Sequence, residues 1–218
     1  ASFRAAGYFF GCGLHDALGV PIGLIEADWG GTRIETWMTA SAACRVDPQI
    51  LETDAAFDDY NKTSFLFNAM IYPLRRLTAR GFIWYQGESN VGRHETYAER
   101  LADMVQLWRK EWGLGELPFY FAEIAPYAYG GTQQEKAAYL REAQFRAQSL
   151  IPNSGMISTN DLVEPYEMYN IHPRNKTKVG QRLSYLALNL TYGLKQIHCF
   201  GPQYKSWTAK AVSYTHLR

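Results

Sequence analysis

Gly81-Phe82-Ile83-Trp84-Tyr85-Gln86 is a short apolar run that stops at Gly87-Glu88-Ser89-Asn90. Short runs bounded by Gly, Pro or Asn are the pattern of strands buried on both faces of a parallel sheet. Further runs repeat it. Ile22-Gly23-Leu24-Ile25-Glu26-Ala27 leads into Asp28-Trp29-Gly30-Gly31. Phe119-Tyr120-Phe121-Ala122-Glu123-Ile124 leads into Ala125-Pro126-Tyr127, and Gly155-Met156-Ile157-Ser158-Thr159 into Asn160-Asp161.

The segments between these runs carry helical spacing. Tyr97, Leu101, Met104, Val105, Trp108 and Trp112 recur three or four residues apart, with Gly113 as the stop. Leu140, Ala143, Ala147 and Leu150 form a second stripe, and Val179, Leu183, Leu186, Ala187 and Leu190 a third, ended by Gly193. An early helix is expected from about Arg4 to Leu18, weakened by Gly7, Gly11 and Gly13. Residues Ala40 to Ser64 read as a polar excursion with short helical pieces. Strand and helix alternation predicts an α/β fold: a three-layer α/β/α sandwich on a parallel sheet with right-handed crossovers. In such folds ligands bind beyond the carboxyl ends of the strands, so the polar loops after the four runs should line one cleft.

Composition narrows the function. The chain has 218 residues, 47% apolar and 20% charged, which excludes disordered and fibrous classes. With 22 Lys and Arg against 21 Asp and Glu, a net charge of +1 argues against a dedicated nucleic-acid surface. No apolar window approaches the roughly 18–20 residues of a membrane span. Aromatics are in excess at 15%, which suits sugar-binding clefts and well-packed cores alike. Cys12, Cys44 and Cys199 are scattered and odd in number, so buried free thiols are expected rather than a disulfide framework. Neither HExxH nor any His, Asp and Cys set at ligand spacing occurs, so no metal or cofactor is expected.

Several residues could carry chemistry. Gly30-Gly31 lets backbone N–H groups approach an oxyanion, or simply forms a tight turn. Gln86 could aim its amide at a developing oxyanion, and Glu88 could hold a neighbouring loop or a substrate hydroxyl. Ser89 lies outside a G-x-S-x-G elbow, because Val91 stands where the last Gly belongs. His172 precedes Pro173 at the entry to a helix, with Asp161, Glu164 and Glu167 upstream, the arrangement of an oriented general base. Glu88 and Glu123 both end expected strands, which keeps a glycosidase carboxylate pair open. A non-catalytic sugar-binding module using Trp29, Trp84, Tyr85 and Tyr127 is the alternative from another class.

Three ordered blocks resemble one family. They are Gly23-Leu24-Ile25 through Trp29-Gly30-Gly31-Thr32-Arg33-Ile34-Glu35-Thr36-Trp37, then Trp84-Tyr85-Gln86-Gly87-Glu88-Ser89-Asn90, then Ile171-His172-Pro173-Arg174-Asn175-Lys176 with Val179-Gly180 and Arg182-Leu183. They are similar to the sialate O-acetylesterase type of SGNH hydrolase, which includes acetylxylan esterase relatives. The resemblance implies a flavodoxin-like sandwich and serine-dependent deacetylation of an acetylated carbohydrate, without nucleic acid or membrane as partner, in a secreted or periplasmic setting. It assigns His172 as base, Gly31 or Gly30 as a backbone oxyanion donor and Gln86 as the side-chain donor. Glu88, Asn90, Trp29 and Tyr127 are expected to face substrate.

Two departures accompany it. The family serine sits in a G-Q-S-N-M block on an earlier strand, and neither that block nor GDS occurs here. The expectation is therefore that residues 1–195 form a partial catalytic domain without its first strand and serine. Residues 196–212 would begin a following strand-rich segment, and 213–218 would be a non-native tail. Many members also have D-x-x-H, but Tyr169 stands three residues before His172, which leaves Asp161 or Glu167 as the acid.

Overall fold

β2, Phe119–Ala122, is the centre of the molecule, and all of its side chains are buried. The computed structural model describes residues 4–130, 133–202 and 204–210. β1, Phe82–Tyr85, and β3, Ser154–Ile157, pair in parallel on either side of β2, in the order β1-β2-β3. Phe82, Phe119 and Ser154 are in register at one end, and Tyr85, Ala122 and Ile157 at the other. All three carboxyl ends therefore open on the same edge.

Alternation along β2 separates two cores. Phe119 and Phe121 face α3, Tyr97–Trp112, and α4, Gln133–Leu150, and pack with Leu101, Met104, Trp108, Leu140 and Ala147. Tyr120 and Ala122 face the other way, onto α1, Ala5–Leu18, and α5, Lys176–Leu186, through Leu14, Val179, Leu183 and Leu186. The result is the expected sandwich of helices, sheet and helices. Each fully buried side chain of this kind contributes roughly 1.5–3 kcal/mol.

The helix ends follow their sequence signals. Gly113 takes the left-handed conformation at φ 64° and closes α3 through its N–H to the Arg109 carbonyl. Asn175 caps α5 by accepting from the Lys178 N–H. Gly180 serves packing instead: a Cβ there would lie 2.5 Å from the Ala6 carbonyl oxygen and 2.6 Å from Phe9 Cβ, so glycine allows α5 to lie directly on α1. The excursion forms α2, Ala40–Val46, and short 3₁₀ turns at Ile50–Ala56 and Asp59–Asn61.

The run Ile22–Ala27 departs from expectation. It is not a strand, and Ile25 is 56% exposed. A strand requires a neighbour to take its N–H and C=O groups, and no described strand lies beside it. Ion pairing of Arg4 with Asp28, and the Arg4 N–H donated to Glu26 Oε1 at 3.1 Å, tether this stretch to the start of α1. Residues 196–202 and 204–210 contain no strand, and the proposed tail 213–218 lies outside the described residues. Cys12, Cys44 and Cys199 are free and half-buried, not fully covered; Cys44 and Cys199 sit at the margins of the two cores.

Candidate functional site

At the carboxyl end of β1 the chain turns through Gly87, where a Cβ would stand 2.5 Å from Ile124 Cγ2. That contact draws the loop 86–90 against the end of β2. Gln86 is buried there. Its amide nitrogen donates to the Thr32 carbonyl at 2.9 Å and to Asn90 Oδ1 at 2.8 Å, and its Oε1 accepts from the Tyr97 hydroxyl at 2.9 Å. Both amide hydrogens are thus engaged inside the protein.

Asn90, expected to face substrate, does not reach the cleft. It is 1% exposed, its Oδ1 also accepts from the Ile34 N–H, and its Nδ2 donates to Glu35 Oε2 at 3.0 Å. Glu35 in turn pairs with Arg100, which also holds Asp47 at 3.0 Å. Charges this deep must be partnered, and this network fastens the loop after β1 to the Gly30-Gly31-Thr32 turn.

That turn is open. Gly31 has φ 71°, in the left-handed region, and its carbonyl accepts from Asn61 Nδ2 at 3.0 Å. Among the described residues the N–H groups of Gly30 and Gly31 have no acceptor. Thr32 Oγ1 donates to the Trp29 carbonyl and accepts from Trp37 Nε1, so the turn is rigid beneath its free N–H groups. Trp29 is half exposed beside Tyr60, with ring centroids 5.9 Å apart.

His172 is exposed in the loop before α5, with its backbone N–H on Asn170 Oδ1 at 3.0 Å. Neither expected acid is bonded to its ring. Asp161 forms a two-pronged pair with Arg182 at 2.7 and 2.5 Å, which holds its carboxyl below the ordinary value. Glu167 is buried and accepts from the N–H groups of Glu164 at 3.3 Å and Arg174 at 3.0 Å. It clamps the loop on both sides of His172 from within.

Glu88 is half-buried at the carboxyl end of β1, where its own backbone N–H favours its charge. Burial raises its proton affinity, while His172 and Lys176 act in the opposite direction. Lys176, at the first position of α5, has its ammonium 4.9 Å from the centre of the Tyr85 ring. Burial pushes that ammonium down, and Glu88 and Glu167 favour its charge. Burial and the charges of Glu88 and Glu123 hold the Tyr85 phenol above its ordinary value, so it stays neutral. Lys176 thus joins Glu88, His172 and Tyr85, which the sequence had already singled out, Tyr85 as an aromatic of the sugar-binding alternative. The available signal was position alone: Lys176 opens the helix that His172 precedes.

The glycosidase pair expected as an alternative falls to this geometry, and so does one member of the sugar-binding set, Trp84. Glu123 is 6% exposed and accepts from the Ser158 hydroxyl, the Thr159 N–H and Asn160 Nδ2. It ties the ends of β2 and β3 together, so it is not the second member of a glycosidase pair. Trp84 is a core residue, edge-on to Trp37 at 5.7 Å and Trp108 at 5.6 Å, and offers no face to a sugar. Ser89 is exposed at the start of a 3₁₀ turn and has no hydrogen bond to His172 among the described residues. Tyr127 is half-buried against Tyr129 and lines a neighbouring cleft. No helix among the described residues is long and apolar enough to cross a membrane, and no group of three or more His, Cys, Asp or Glu residues there could hold a metal ion.

A family model described as carbohydrate esterase, sialic acid-specific acetylesterase, matches residues 5–189. Sialate O-acetylesterase of Homo sapiens is 32% identical over 211 residues, covering 89% of this chain and 40% of that protein. The Mus musculus protein of the same name is 30% identical over 237 residues, covering 89% and 44%. The chain therefore spans less than half the length of these curated relatives. Among solved structures, a carbohydrate acetylesterase from Xanthomonas citri superposes with a TM-score of 0.76 at 37% identity, covering 88% of this chain and 41% of that one. A protein from Arabidopsis thaliana, at TM-score 0.56 and 19% identity over 83% of this chain and 67% of its own, shares the fold.

Proposed function

Because the chain belongs to the carbohydrate esterase family of sialic acid-specific acetylesterases, we propose that it takes part in hydrolysing O-acetyl esters of carbohydrates, on sialic acid or another glycan. One observation carries this reading: the open Gly30-Gly31 turn is hydrogen-bonded, through the Thr32 carbonyl and the Gln86 amide, to the loop that bears Glu88 at the carboxyl end of β1.

In this reading a serine hydroxyl attacks the acetyl carbonyl and His172 takes its proton. His172 then protonates the departing sugar oxygen, and water repeats the sequence to release acetate. The N–H groups of Gly31 and Gly30 hold the tetrahedral oxyanion, where charge develops only in the transition state. Gln86 fixes the Thr32 turn beneath those donors. Glu88 is the carboxylate that stabilises the imidazolium, since Asp161 is paired with Arg182 and Glu167 with two backbone N–H groups. Trp29, exposed beside the turn, is the aromatic surface toward the sugar.

The chain contains neither a G-Q-S-N-M nor a G-D-S block. We therefore assign it the base and the oxyanion donors, but not the nucleophile. The family resemblance supports a secreted or periplasmic site of action. The test is acetate release from O-acetylated sialic acid by a longer form that carries a G-Q-S-N-M block. His172→Ala should lower kcat by about three orders of magnitude or more, as loss of a triad member does. An unchanged kcat removes His172 from the mechanism.

A further inference from the structure

The loop after β2 and the loop before α5 flank a second, open feature on the same edge of the sheet. The Ala128 N–H donates to the Met168 carbonyl at 2.8 Å, tying the two loops backbone to backbone. Between them is a cleft of about 400 Å³ whose walls include Tyr127, Tyr169, Arg141 and Asn160. Its volume lies in the range of small-molecule sites. None of these residues has a part in the base and oxyanion chemistry above.

The wall chemistry is specific in kind. Tyr169 is 81% exposed, and Tyr127 is braced by Tyr129 with ring centroids 4.8 Å apart and planes at 83°. Arg141 stands with Nε 3.7 Å from Glu123 Oε1, and its terminal nitrogens make no hydrogen bond among the described residues. Asn160 donates its amide to Glu123 and to Ser158 Oγ, each at 3.3 Å, which leaves the Oδ1 of this lining residue without a hydrogen bond among the described residues. A pyranose ring has apolar C–H faces and hydroxyls that both donate and accept. Aromatic surface, a planar donor and a fixed acceptor meet each of those needs. Glu164 in the same wall offsets the charge of Arg141, so the cleft is not built for a phosphate.

We propose that this cleft is a subsite for the sugar residue adjoining the acetylated one, so that the protein reads at least two linked sugars. The inference rests on the carbohydrate reading above. His172 follows Tyr169 in the same loop, which would join recognition of the second sugar to placement of the base.

The experiment is a calorimetric titration of this 218-residue chain with sialyllactose and, separately, with N-acetylneuraminic acid. The trisaccharide should bind about tenfold more tightly, a difference that one well-placed subsite supplies. Tyr127→Ala and Arg141→Gln, each checked for folding by circular dichroism, should bring the two affinities together. Equal affinities in the unaltered chain, a preference that survives both substitutions, or no binding of either sugar would each overturn the subsite. Acetate release by the longer form judges the esterase reading separately, so the two can fail independently.

Discussion

Gln86 Nε2 donates to the carbonyl oxygen of Thr32 at 2.9 Å, across a sequence separation of 54 residues. This bond joins the turn that bears the free glycine N–H groups to the loop that bears Glu88. Asn90 doubles the connection through the Ile34 N–H.

Gln86→Ala should therefore act on stability. It removes the donor to the Thr32 carbonyl and one of the two acceptors of the Tyr97 hydroxyl, leaving the Thr32 carbonyl without a partner among the described residues and Tyr97 with the Gln86 backbone carbonyl alone. The expected loss is about 1–3 kcal/mol by urea denaturation. A change within error would mean that the joint does not hold the two loops.

Gly180→Ala tests the contact between α1 and α5. The added methyl meets the Ala6 carbonyl and Phe9 at under van der Waals distance, and backbone atoms cannot swing aside as a flexible side chain could. A loss of about 1–3 kcal/mol is expected, read as a fall in melting temperature. A neutral result would mean that the helices separate freely.

Glu88→Gln tests the half-buried carboxyl at the end of β1. Burial raises its proton affinity above the ordinary value of 4.5, so the folded chain binds this proton more tightly than the unfolded chain does. Its favourable contribution is complete below 4.5 and is lost as pH rises through the folded value. Glutamine is neutral throughout. The stability of the variant relative to the unaltered chain should therefore rise as pH climbs from below 4.5 through the folded value of Glu88. A difference that stays constant with pH would place Glu88 in ordinary solvent.

Ser89 is the remaining serine of interest. The chain alone should not hydrolyse 4-nitrophenyl acetate above the rate of its own Ser89→Ala variant. Turnover that disappears on that substitution would make Ser89 the nucleophile and overturn the assignment of the serine to another segment.

Much of the frame was legible in residue order. The stripe from Tyr97 to Trp108 and the run Phe119–Ala122 became α3 and β2 because their apolar spacing already matched the elements that bury them. The run at Ile22–Ala27 misled, since an apolar run records the capacity to pair while pairing needs a neighbour. Asn90 misled for a related reason: a polar residue beside a cleft motif looks the same in sequence whether it faces solvent or, as here, Glu35.

The sequence by itself determined the alternation of strands and helices, the edge on which the polar loops gather, and the blocks that mark the family. Spacing along the chain carries that information, because local periodicity decides which faces are apolar. Only the tertiary structure decided what each carboxylate does. Asp161 meets Arg182, Glu167 meets backbone N–H groups, Glu123 meets Ser158 and Thr159, and Glu88 is left half-buried with none of these partners. A carboxylate's role is set by the charges and donors around it, and those arrive from segments that the chain order keeps far apart.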